Sequence, residues 1–179
     1  DYLLFYAEGA QAWSYDAAKD EFNQSRNIYD TRNYYFIKIS AEPAQRIAIR
    51  GTLGNTAYTS SSFDDYHRME KERFNLLHEW SKAQGSAQHW YGDQFKVTRS
   101  YDYPDEFRFP NLINTEAVKL RGRFAGRART GSYFFVDIGG QTIQSSEASA
   151  VSSINGPADN IQQFANTAGL EGSVLLSSS

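Results

Sequence analysis

Cysteine is absent from this 179-residue chain. That one absence removes disulfides, thiolate metal sites and any cysteine nucleophile together. No run of 18 apolar residues occurs, so no helix is expected to span a membrane. The opening stretch, DYLLFYAEGA, lacks the basic n-region of a signal peptide. It also lacks an initiator Met, and the chain is expected to be a piece of a longer protein, cut short within its C-terminal unit. Cationic excess is missing too: the net charge is -3, whereas nucleic-acid binding wants a clustered basic face. Walker-type and dinucleotide glycine loops are absent, as is the G-x-S-x-G elbow of serine hydrolases.

Aromatic residues are plentiful, at 15% of the chain, with 12 Tyr, 12 Phe and 3 Trp. Rings of this kind fit pleated, half-buried surfaces, and they predict a mainly β fold. Trp13 and Tyr15 alternate with polar residues before a turn near residues 16–20. The stretch NYYFIKIS, residues 33–40, is the strongest strand candidate, followed by alternation around Ile47 and Ile49. VKLRGRFAG sets Val118, Leu120 and Phe124 against Lys119, Arg121 and Arg123, and Gly139-Gly140 marks a hairpin connection. Apolar residues at steps of three and four from Phe63 to Trp80, opened by Ser62 and two acids, predict one helix over residues 64–83. Together these patterns predict antiparallel β-sandwich units with that single helix. The expected division is a β-rich unit over residues 1–95 and a sandwich-like unit over residues 96–179.

Three histidines are present, His67, His78 and His89. On a helix His67 and His78 would stand roughly 16 Å apart, too far to share one metal. Asp64, Asp65, Asp102 and Asp105 are a calcium combination, yet no D-x-[DN]-x-[DN]-G loop accompanies them. No catalytic residue, metal ligand or cofactor is therefore assigned. In SAQHWYGDQF, residues 86–95, the aromatics read as packing and turn elements. Trp80, Trp90, Tyr91 and Phe95 are the expected structural anchors. Lys119, Arg121, Arg123, Arg127 and Arg129 form a basic cluster that reads as a solvated strand face.

DYLLFYAEG, WSYD, NIYDTRNYYFIKI, FDDYHRMEKERFNLL and WYGDQF follow one another in this chain. In that order they resemble the region upstream of the catalytic domain in gingipain-like cysteine peptidases of type IX secretion, the PorU-type proteins of Bacteroidetes. VKLRGRFAGRA through FFVDIGGQTI is similar to the β-sandwich that follows there. Where the family usually reads SGREWYGE this chain has SAQHWYGD, so His89 replaces a Glu and Ala87-Gln88 replaces Gly-Arg. Met69 stands where a second histidine often follows His67. The resemblance implies an exported, cell-surface or outer-membrane protein, or a secreted one. It implies that this chain is a non-catalytic scaffold or cargo guide, with the Cys and His of the peptidase in a later domain. The expected partners are that downstream domain and secreted cargo protein, with no nucleic acid. A carbohydrate-binding β-sandwich with exposed Tyr and Trp is the competing expectation, because sugar faces stack on aromatic rings.

Overall fold

The computed structural model describes residues 5–27, 29–43, 45–49, 51, 54, 59–76, 90–151 and 165–176. Six strands fall within them: β1 (Gln11–Asp16), β2 (Glu21–Arg26), β3 (Val118–Gly126), β4 (Phe135–Ile138), β5 (Gln141–Gln144) and β6 (Asn166–Val174). They pair as three antiparallel two-stranded ladders, β1–β2, β3–β6 and β4–β5. The fold is mainly β. The chain divides into two compact units, Asp1–Asp64 and Asp65–Ser179, so the expected join at 95/96 falls inside the second unit.

In the first unit, alternation around Trp13 and Tyr15 becomes the β1–β2 hairpin. Asp16 closes its turn, accepting the Ala18 amide on its carboxylate at 3.0 Å and the Lys19 amide on its carbonyl at 3.2 Å. Asp20 leaves the turn at φ 51, a left-handed geometry that Asp tolerates better than most side chains. The strongest strand candidate, residues 33–40, joins no ladder among the described residues. It is tethered through side chains instead: Asn33 Nδ2 donates to the Gly9 carbonyl at 2.7 Å, and Tyr35 OH donates to the Glu8 carbonyl. Propensity marks a segment suited to a pleated surface; a ladder also needs a partner strand.

The second unit is organised on β3 and β6. Across their inner face large side chains meet small ones: Phe124 faces Ala168, Gly122 faces Leu170 and Leu120 faces Gly172. A Cβ on Gly122 would lie 2.9 Å from the Phe124 ring, and one on Gly172 2.9 Å from Ile143 Cδ1. The glycines are thus the room that their neighbours fill. Ala148, Val151, Ala165, Ala168, Leu170 and Val174 are buried and form the core. Residues 145–148 run along β6, with the Ser146 amide on the Gly169 carbonyl at 2.7 Å. Buried Ser145 accepts the Phe134 amide at 3.0 Å and donates to the Ser146 carbonyl at 2.7 Å, so its hydroxyl is satisfied. Gly139 and Gly140 turn β4 into β5 at φ 56 and 76, the pair of positive values that a two-residue hairpin of this hand requires.

The helix expected at residues 64–83 is absent over 64–76; residues 77–83 lie outside the described set. The cause is visible in the backbone bonds. The Arg73 and Phe74 amides both go to the Tyr91 carbonyl, at 3.1 and 2.9 Å, and the Tyr91 amide returns to the Phe74 carbonyl at 2.8 Å. A helix would have sent those amides four residues back. No helix among the described residues is long and apolar enough to cross a membrane.

Candidate functional site

Among the described residues of the second unit, three side chains gather on Asp93, inside the WYGD stretch. The bridge between Phe74 and Tyr91 lays residues 71–74 beside residues 90–93. Because that segment is extended, Lys71 and Arg73 share one side of it, and both reach the Asp93 carboxylate. Lys71 Nζ lies 2.7 Å from Oδ2, Arg73 Nη1 lies 3.2 Å from Oδ1, and Tyr103 OH donates to Oδ2 at 2.7 Å. Only 8% of the Asp93 side chain is exposed, against 31% of Lys71 and 59% of Arg73. The Lys71 ammonium also sits 4.9 Å from the centre of the Tyr103 ring, a cation–π contact. Gly92 makes the close approach possible, since a Cβ there would fall 2.7 Å from Lys71 Cβ. Glu72, on the other side of the segment, accepts the Trp90 amide at 3.2 Å.

The electrostatics follow from these bonds. The Lys71 ammonium, then the Tyr103 hydroxyl, hold the Asp93 carboxyl below the ordinary carboxylate range, and Arg73 adds to the effect. Burial, then the bond to Asp93, pushes the Tyr103 phenol well above its ordinary value. Near neutral pH Asp93 is a carboxylate fixed by the donors around it. A general acid or base needs a pKa near its working pH, and the shifts move Asp93 and Tyr103 away from neutrality in opposite directions. It acts as a clasp that ties residues 71–73, 93 and 103 into one body. An aromatic chain continues it: Phe95 packs edge-on against Tyr101 at 5.1 Å and Phe134 at 5.9 Å, and Phe134 stacks on Phe124 at 4.7 Å and 9°. That chain ties Phe95 and Tyr101 to Phe124 on β3.

Of the expected anchors, Tyr91 is half-buried and bridged to Phe74, while Trp90 and Phe95 keep 40% and 42% of their surface exposed. They border the clasp; the core lies elsewhere, on β6 and residues 148–151. Trp80, His78 and His89 lie outside the described residues. His67 meets Phe107 edge-on at 5.2 Å. Of the acids weighed for calcium, Asp105 pairs with Arg108 at 2.5 Å and Asp65 accepts the Tyr66 amide at 2.8 Å. Among the described residues no three His, Asp or Glu side chains converge to hold a metal ion.

The partners of Asp93 escape sequence reading because the helix expected over residues 64–83 would not set Lys71 and Arg73, two residues apart, on one side. The signal was present in EKER, residues 70–73, where charge sign alternates every residue. A period of two belongs to an extended segment, with both cations on one side. Comparison of the chain with protein-family models, curated proteins and solved structures gave no match.

Proposed function

We propose that this chain is the non-catalytic β region of an exported, gingipain-like peptidase of type IX secretion, serving as a scaffold against which a catalytic domain and its cargo are held. The observation that carries the reading is apolar surface in the first unit, on segments of strand-forming sequence. Phe36 and Ile39 are each 96% exposed, and Ile37, Ile47 and Ile49 are exposed as well. Grouped exposed apolar residues of this kind mark interaction surfaces. A downstream domain in the same polypeptide meets such a surface at high effective concentration. The zero cysteine count agrees with a reading in which the thiol nucleophile of such a peptidase is carried by another domain. A sandwich form for the second unit belongs to the same proposal, supported by the approach of Ile143 on β5 to Gly172 on β6.

The test adds the separately produced peptidase domain of the full reading frame and measures association by calorimetry. Phe36→Ser and Ile39→Ser together should weaken it at least tenfold, since burying one such side chain is worth about 1.5–3 kcal/mol. Tight association that ignores both substitutions, or none with the native chain, would reject the scaffold role.

A further inference from the structure

The β1–β2 hairpin has two unlike faces. In register, Gln11 stands opposite Arg26, Trp13 opposite Gln24 and Tyr15 opposite Phe22; the other face pairs Ala12 with Ser25, Ser14 with Asn23 and Asp16 with Glu21. One face therefore carries three rings, two amides and Arg26, the other small and polar side chains. The rings are on show: Trp13, Tyr15 and Phe22 are 41%, 53% and 51% exposed. Two of them are also held in place. Tyr15 and Phe22 contact each other at 5.1 Å with a 47° tilt, which makes a shallow trough. Tyr15 OH donates to Asp20 Oδ1 at 2.7 Å, fixing the ring from the turn end. Gln24 Nε2 donates to Gln11 Oε1 at 2.7 Å, which joins the two amides across the strands on the ring face.

We propose that this face is a binding platform for a short neutral oligosaccharide. Pyranose rings present apolar C–H faces to aromatic rings and hydroxyls to amides, and this face supplies both in one line along the strands. Its size argues against a protein. Three rings of about 150–250 Å² each, roughly half exposed, offer on the order of 300 Å², well short of the ~800 Å² per partner of a stable protein interface. Charge on the ring face is mixed, with Asp20 at the turn end, bonded to Tyr15, and Arg26 at the other, where a stacked nucleic-acid strand would need a cationic groove. The pinned rings lower the ordering cost of capture. The platform is independent of the scaffold reading, which rests on Phe36 and Ile39.

The experiment uses the whole chain. Titrate short glucan, mannan and N-acetylglucosamine oligomers, with sulfated and uronic-acid oligomers as charged controls, and follow calorimetry and amide NMR shifts. At least one neutral oligomer should bind and shift the amides of residues 11–26. Trp13→Ala and Tyr15→Ala should each weaken it about tenfold, and Trp13→Phe, which keeps a ring in the ribbon, by less. Ser14→Ala, on the opposite face, should leave it unchanged. Hairpin amide shifts retained in Trp13→Phe and Tyr15→Phe separate loss of the platform from loss of the ribbon. The proposal is overturned if no neutral oligomer binds, if the charged controls bind better, or if binding persists in a folded Trp13→Ala chain.

Discussion

Replacing Asp93 with Ala removes one carboxylate and strands three donors at once. Hydrogen bonds to charged groups contribute about 1.5–3 kcal/mol each; all three are of that kind, and those from Lys71 and Tyr103 are the part-buried ones. Lys71 keeps 31% of its side chain in water and re-solvates in part, so its share belongs at the low end. Arg73, at 59% exposure, behaves as a surface partner worth about 0–1 kcal/mol. The expected cost is about 3 kcal/mol, or roughly 10 °C in melting temperature for a unit of this size. Because two units melt in one chain, native-state hydrogen exchange of the β3 and β6 amides is the cleaner readout, since these belong to the second unit alone. Tyr103→Phe should cost about 1 kcal/mol. In the double variant that loss should be smaller, with a coupling of about 0.5–3 kcal/mol. Asp102→Ala, exposed, should stay within about 0.5 kcal/mol. Equal losses at positions 93 and 102, or strict additivity of 93 with 103, would refute the clasp.

Acid should act through the same carboxylate. The Asp93 pKa lies below its ordinary 3.8, so its contribution is complete above that value and disappears as pH falls through the lower, folded one; Asp93→Ala should flatten this part of an acid-unfolding curve. The Tyr103 pKa is raised from 10.0, so the stability it adds is complete below that value and declines as pH rises above it. Tyr103→Phe should remove that alkaline decline in urea titrations at stepped pH. Leu170→Ala should cost about 2–5 kcal/mol in chemical denaturation, whereas Val97→Ala, at 88% exposure, should stay within about 0.5 kcal/mol. Gly126→Ala would put a Cβ 2.8 Å from that of buried Ala148, and about 1–3 kcal/mol of overpacking should appear as an earlier urea midpoint.

What could be read from the sequence was local. Trp13 and Tyr15 alternated on a true strand, Val118–Gly126 alternated on another, and Gly139-Gly140 named its own turn. Each depends on a period or a backbone requirement contained in a few residues. Residues 33–40 failed as a strand because pairing is decided by a second segment that no window contains. Residues 64–76 failed as a helix for a related reason. Apolar spacing of three and four matched a helical face, yet the amides of Arg73 and Phe74 went to Tyr91, a partner seventeen or eighteen residues away. The site was half legible: WYGD drew attention, but Tyr103 and the two cations are joined to Asp93 only by the fold.

The distance along the chain between β3 and β6 has a consequence for the order of events in folding. The hairpins β1–β2 and β4–β5 close over turns of a few residues and can form within about 1–10 μs. The β3–β6 ladder begins where Gly126 meets Asn166, so its first rung must close a loop of roughly 40 residues, an entropic cost met before any contact rewards it. Ala168, Leu170 and Val174 all arrive with β6, so during that interval β3 waits without a core. Two molecules at that stage could join through their bare strands. Lys119, Arg121 and Arg123, all exposed along one side of β3, set like charges against any second copy of the same strand, and such charges keep waiting edges apart. The stripe thus guards the nascent molecule against its own kind until β6 docks.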